Sequence, residues 1–201
     1  VPGLPQAEPS LKITYVQPKD FTGLLRYVRN ILVVTIDPTA YTKVSVGYEN
    51  NVWARGQVVV SLKAPNTESI VEYSKTHEKA LVNFFVKVEM NRAIEQLQKE
   101  YSMVVMDNLK SDLNVMLNAP ANFTYYKDTT DFFWSSNNAN TGRMDLIVYT
   151  FPYTDPNTFT EEYLVAKRDS VLKANLPGSF PGSYMQTETR AGVEYTPITL
   201  N

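Results

Sequence analysis

Cysteine is absent from all 201 residues. That removes disulfides, thiolate nucleophiles and cysteine-based zinc sites together, and leaves both a reducing cytosol and a periplasm open as settings. Histidine occurs once, as His77. A single imidazole with scattered acids is poor material for a metal centre, so no metal is expected. A Ser–His–Asp arrangement would have to use His77, and the chain has no G-x-S-x-G elbow to present the serine. No P-loop and no GxGxxG pattern occurs, and no cofactor is expected. The net charge is only −2, so the basic surplus that nucleic acid demands is missing. The longest apolar runs, such as ILVVTI (Ile31–Ile36), are strand length and far too short to span a bilayer.

What the chain does have is a repeated phrase. An apolar run, Pro-Asn-Thr and a helix-like stretch occur at Val58–Leu81 and again at Leu146–Leu172, each downstream of a tryptophan, Trp53 and Trp134. Trp, apolar strand, cap and helix follow in the same order, which implies two related hairpin–helix units, over residues 11–112 and 113–201, inside one domain spanning 1–201. Size and apolar content suit one well-cored α+β domain.

Val1–Pro9, with three prolines, reads as an extended lead-in. Leu11–Val16 alternates and reads as a strand. Pro18 opens a short helix over Lys19–Arg29. The continuous run Ile31–Ile36 reads as a central strand buried on both faces. Lys43–Tyr48, Val52–Arg55 and Val58–Leu62 follow as strands. From Asn66 to Ala119 there is neither Gly nor Pro, so helix is expected almost throughout, with Asn66 or Thr67 as its N-cap. The apolar stripe of that helix jumps by half a turn after Val88. Either the helix breaks near Glu89–Asn91 or its ends face opposite neighbours, and a break is the simpler reading. Leu113–Leu117 reads as a strand, Phe123–Lys127 and Asp131–Ser136 as a hairpin, Ser135–Gly142 as an exposed tip, and Met144–Phe151 as a strand. Thr158 and Glu161 fit a capping box opening a helix that runs to Asn175. Gly182–Leu200 is extended. The whole resembles ferredoxin-like βαββαβ elements, a mostly antiparallel sheet with helices on one face. The start at Val1 without Met, and an end directly after a β-like stretch, read as a fragment or processed product.

The phrases VPGLPQAEP, YVRNILVVTID, NVWARGQVVVSLKAP, YTDPNTFTEEYLVAKRDSVLKANLPG and GSYMQTE together resemble domain of unknown function 4837, a family of exported lipoprotein-like proteins of Gram-negative bacteria. The resemblance implies a cell-envelope setting, periplasm or outer membrane. It also implies a lipid-bearing cysteine and further strands beyond this chain, so that the full-length protein is membrane-tethered. It implies no activity.

Candidate site residues are few. Arg168 lies on the apolar stripe of the second helix with Glu161 on the same side; together they form either an anion-holding pair or a packed structural arginine. His77 occupies the corresponding place in the first unit. Trp53 and Trp134 either stack on a sugar or anchor sheet to helix. Asp128-Thr129-Thr130 resembles envelope O-glycosylation sequences, with Thr129 the acceptor. The leading expectation is a non-enzymatic cell-envelope binding or scaffold module with an envelope protein or glycan as partner. The second is a periplasmic enzyme acting on a glycan or peptide.

Overall fold

The computed structural model describes residues 9–190, 192, 193, 195, 196 and 198. The fold is α+β, built as two compact units that divide at Ile94/Glu95. The lead-in lies almost wholly outside the described residues, as does much of the terminal stretch 193–200. Among the described residues, no helix is long and apolar enough to cross a membrane.

In the N-terminal unit, strands β1 (Asn30–Ile36), β2 (Ser45–Asn50) and β3 (Val58–Ala64) form a sheet in the order β1-β3-β2. The β1–β3 pair is parallel and β2–β3 antiparallel. The central strand is therefore β3, with Val58, Val59, Val60, Leu62 and Ala64 buried. The ILVVTI run, expected at the centre, is at the edge, where Leu32, Val34 and Ile36 remain nearly half exposed. An apolar run states a demand for burial, but only long-range pairing decides a strand's place in the sheet. Leu11–Val16 forms no strand; Leu11 packs on the Val58–Val60–Phe85 cluster while Ile13 and Tyr15 are exposed. Lys19–Arg29 gives two 3-10 turns instead of a helix, with Gly23 at the start of the second in a left-handed φ of 53°. Val52–Arg55 is a bend, entered through Asn51 at φ 59°.

Helix α1 (Thr67–Lys99) starts where Asn66 accepts from the backbone N and the hydroxyl of Ser69, at 2.9 and 2.7 Å. Phe84, Phe85 and Val88 lay it over β3. It is not a straight rod, but the bend is at His77 (φ −116°, ψ 15°), not at Glu89–Asn91. Thr76 donates its hydroxyl to the Glu72 carbonyl and His77 Nδ1 lies 3.0 Å from the Tyr73 carbonyl. Such side-chain capture of helix carbonyls bends helices. The apolar phase jump is met by exposure: Met90 and Ile94 face solvent.

In the C-terminal unit α2 (Met103–Leu113) follows a second break at Glu100–Ser102. Ser102 caps it, accepting from Val105 N and donating to the Phe123 carbonyl. Asn114 turns left-handed at φ 53° and ends it, so Leu113–Leu117 does not become a strand. Strands β4 (Tyr125–Thr129), β5 (Phe132–Ser136) and β6 (Asp145–Tyr149) form an antiparallel meander. The expected exposed tip begins later than Ser135, since Ser135 and Ser136 are buried on β5. Strand alternation sends Phe133, Leu146 and Val148 to one face, where Val105, Leu109 and Leu113 of α2 cover them. It sends Lys127 and Trp134 to the other, toward the C-terminal end of α3 (Glu161–Asn175). Helices thus flank both faces of this sheet.

The two Pro-Asn-Thr phrases do different things. Thr67 begins α1 directly after β3. Thr158 is buried inside a separate 3-10 turn, Pro156–Phe159, capped by Asp155, and Thr160 caps α3. The carboxylate of Asp155 bonds Asn157 N at 2.8 Å and captures the turn before a capping box can form. With one mixed sheet and one antiparallel meander, the two halves do not repeat one plan.

Candidate functional site

Arg168 is built into the C-terminal unit by neighbours other than those expected. Its Nη1 donates to Asp169 Oδ1 at 3.1 Å and to Thr187 Oγ1 at 2.8 Å. Asp169 Oδ1 also accepts from the backbone N of Thr187 at 2.9 Å and from its hydroxyl at 2.6 Å. The cluster clasps the segment at Thr187 onto α3. Glu161, the expected partner, sits at the first position of α3, exposed and favourable there for the helix dipole. Tyr149 senses the clasp: burial raises its pKa, the Arg168 charge opposes the rise and the Asp169 charge adds to it. With its side chain one third exposed, Arg168 is worth less than a fully buried ion. Arg168→Ala is expected to cost about 1.5–3 kcal/mol, the range for hydrogen bonds to charged groups. Urea unfolding measures it, and an unchanged midpoint would show that the clasp contributes nothing.

Trp134 lines an open cleft of about 440 Å³, together with Arg143, Asp145, Asn175, Leu176 and Met185 among others. The strand register sets its chemistry. Trp134 and Ser136 on β5 oppose Ile147 and Asp145 on β6, so indole and carboxylate share a face. Trp134 Nε1 donates to Asp145 Oδ1 at 2.9 Å. Arg143 Nε and Nη2 donate to the same carboxylate at 3.1–3.3 Å, and its guanidinium carbon stands 5.9 Å from the indole centroid. Burial pushes the Asp145 carboxyl up, but hydrogen bonds from Arg143, Ser136 and Trp134 outweigh it and hold the group below the usual carboxylate range. The indole is pinned, one wall is cationic, and the rest of the cleft is largely aliphatic. Arg143 and Asp145 escape a reading by local motif. Their i, i+2 spacing at the start of a strand, opposite a tryptophan, is the signal that could have found them.

The other candidates lie apart. His77 is exposed at the bend of α1, its ring stacked on Tyr73 at 4.0 Å. Trp53 meets Phe21 edge to face at 5.6 Å, and its backbone N donates to the side chain of Gln57. Thr129 is exposed at the end of β4, its hydroxyl donating to the Phe132 carbonyl at 3.2 Å. Beside it Asp128 carries a carboxyl raised above its usual range, first by loss of solvent and then by the neighbouring Asp112. The crevice between them measures about 10 Å³, room for about one water. In the N-terminal unit Arg92 gathers Glu89 Oε1 at 2.7 Å, Asn30 Oδ1 at 2.8 Å and the carbonyls of Gly56 and Arg29. These bonds join α1 to the β1 end of the sheet.

Residues 102–201 match the family model described as a domain of unknown function, DUF4837. The chain belongs to that family through this part. Residues 1–98 match a second one, the domain of unknown function DUF8532. The first three phrases quoted for the resemblance therefore fall in the stretch that the second model covers. No curated protein and no solved structure matches the chain.

Proposed function

We propose that this chain is a non-enzymatic binding or scaffold module of the cell envelope, with the cleft at Trp134 as its ligand face and a glycan as ligand. The observation that carries the reading is the pinned indole beside the Arg143–Asp145 pair. A fixed aromatic face with a cation and an anchored carboxylate supplies stacking and hydrogen bonding for a sugar ring. The same geometry speaks against proton transfer in the cleft, since general acid–base work needs a pKa near the working pH and Asp145 is held low. The envelope setting rests on the family resemblance, as does the lipid tether of the full-length protein. Thr129, exposed on the β4–β5 turn, remains the proposed O-glycan acceptor. The second reading, a periplasmic enzyme on a glycan or peptide, draws on Asp128, whose carboxyl is raised by loss of solvent and by the neighbouring Asp112, the direction a general acid needs. The crevice there is too small to seat a sugar ring.

The test is titration of the chain with a purified cell-wall disaccharide-peptide and with neutral oligosaccharides, followed by calorimetry. Saturable binding is expected, weakened about tenfold or more by Trp134→Ala, the loss of about 1.4 kcal/mol or more, and unchanged by Trp53→Ala. Binding insensitive to Trp134→Ala, or no binding at all, removes the proposal. Release of cleaved product, abolished by Asp128→Asn, would establish the enzyme reading in its place.

A further inference from the structure

We infer that two copies of this chain associate through the free edge of β1, extending the N-terminal sheet across a two-fold axis at Val33. The inference is independent of the cleft.

The β1–β3 ladder fixes which backbone groups are free. Val58 N donates to the Arg29 carbonyl at its start and Asp37 N donates to the Ala64 carbonyl at its end. Backbone groups alternate in direction along a strand, so Ile31, Val33 and Thr35 also point to β3. Asn30, Leu32, Val34 and Ile36 point their N–H and C=O groups away from it. Among the described residues, no backbone partner meets that outer edge. The side chains of Leu32, Val34 and Ile36 are 45–47 % exposed along one face of the same strand. Natural sheets usually blunt such an edge with lysine, proline or a bulge, and none interrupts β1.

The sequence itself selects a second copy as the occupant. An antiparallel pairing must oppose one outward residue to another, which restricts the two-fold axis to a residue position. With the axis at Val33, Leu32 opposes Val34 of the other copy, Asn30 opposes Ile36, and Arg29 opposes Asp37 at both ends. Moving the axis by one residue to Leu32 or Val34 sets Arg29 against Thr35 or Thr39 and loses both charge pairs. About eight backbone hydrogen bonds form in the matched register. Pro38, without an N–H, stops the ladder just beyond them. Both charged groups are available: the Arg29 side chain is 71 % exposed with Glu89 at 3.7 Å, and Asp37 is part-exposed, with only Oδ1 engaged by Thr39 and Ala40. An unrelated strand would meet the hydrogen-bond edge equally well but not the reciprocal Arg29–Asp37 charges.

The absence of cysteine makes the test direct. In the full chain, Val33→Cys places two thiols across the axis at a close, non-hydrogen-bonded pair, a spacing that suits a disulfide. Thr35→Cys, on the same face, would be displaced from its symmetry mate by four residues, roughly 14 Å. Mild oxidation is expected to give a covalent dimer with Val33→Cys and little or none with Thr35→Cys. Sedimentation equilibrium of the unmodified chain is expected to show a monomer–dimer equilibrium. Arg29→Asp should weaken it about tenfold or more, because two attractive cross-strand pairs become repulsive. The double charge swap, Arg29→Asp with Asp37→Arg, should bring the constant back toward that of the parent. A monomer at every concentration overturns the inference, and so does a dimer indifferent to Arg29→Asp. Equal crosslinking at both cysteine positions overturns it as well. Pairing of β1 with Leu11–Val16 of the same chain would appear as the monomer outcome.

Discussion

Phe133→Ala is expected to lower the stability of the C-terminal unit by about 3–5 kcal/mol, the usual cost of truncating a buried aromatic. Phe133 is 3 % exposed and packs with Val105, Leu109, Ala119 and Phe123 in the cluster under α2. Sheet and helix meet through it, so its loss leaves a cavity that neither β5, paired on both sides, nor α2, capped at both ends, can move to fill. The measurement is urea unfolding followed by Trp134 fluorescence in a Trp53→Phe background, which reports this unit alone. A loss under about 1 kcal/mol, the level of an ordinary surface change, would mean that the cluster is not the core of the unit. The adjacent substitution Trp134→Ala makes a useful contrast. It acts on the opposite face of the same strand, where it removes the wall of the cleft and leaves the α2 cluster intact.

The parts of this fold legible in the sequence are those fixed by local chemistry. Asn66 caps α1 because a side-chain oxygen three residues ahead of Ser69 N needs no tertiary help. The short Asp131–Ser136 segment reads as the second strand of a hairpin and becomes β5, and the long stretch without Gly or Pro gives the helix that carries Val105 and Leu109. The illegible parts are those settled by competition or by distant pairing. Thr158 and Glu161 fit a capping box, yet Asp155 takes the turn first and Thr160 becomes the cap. The ILVVTI run calls for burial, but β3 pairs on both sides and takes the centre, leaving β1 at the edge. For the candidate site, Trp134 stood out as an aromatic. Its partners Arg143 and Asp145 did not, because they reach it only through the β5–β6 register. Arg168 stood out as a charge on an apolar stripe, and it is indeed held by hydrogen bonds. Those bonds come from its chain neighbour and from Thr187, a residue that no helical periodicity could connect to it.

Gln57 gives the second large effect, and periodicity offers no sign of it. Only 1 % exposed, it sits just ahead of β3 where an apolar residue would be the ordinary choice. Its Nε2 donates to the carbonyls of Arg26 and Val28, both at 2.7 Å, and its Oε1 accepts from Trp53 N at 3.0 Å. One amide therefore satisfies three backbone groups from two irregular segments that have no ladder of their own. Gln57→Leu keeps the volume and removes all three bonds. A buried group left unpaired costs about 1–3 kcal/mol, and water can reach some of the freed groups, so the expected loss is about 2–4 kcal/mol. Gln57→Glu should cost more, because its carboxylate brings a negative charge against two carbonyl oxygens it can no longer donate to. Both values come from chemical unfolding read through Trp53 fluorescence in a Trp134→Phe background. Amide hydrogen exchange at Trp53 supplies the local readout, since its N–H is protected only while Gln57 accepts from it. If Gln57→Leu proves as stable as the parent, with Trp53 still protected, the two segments hold their own shape and the glutamine is incidental.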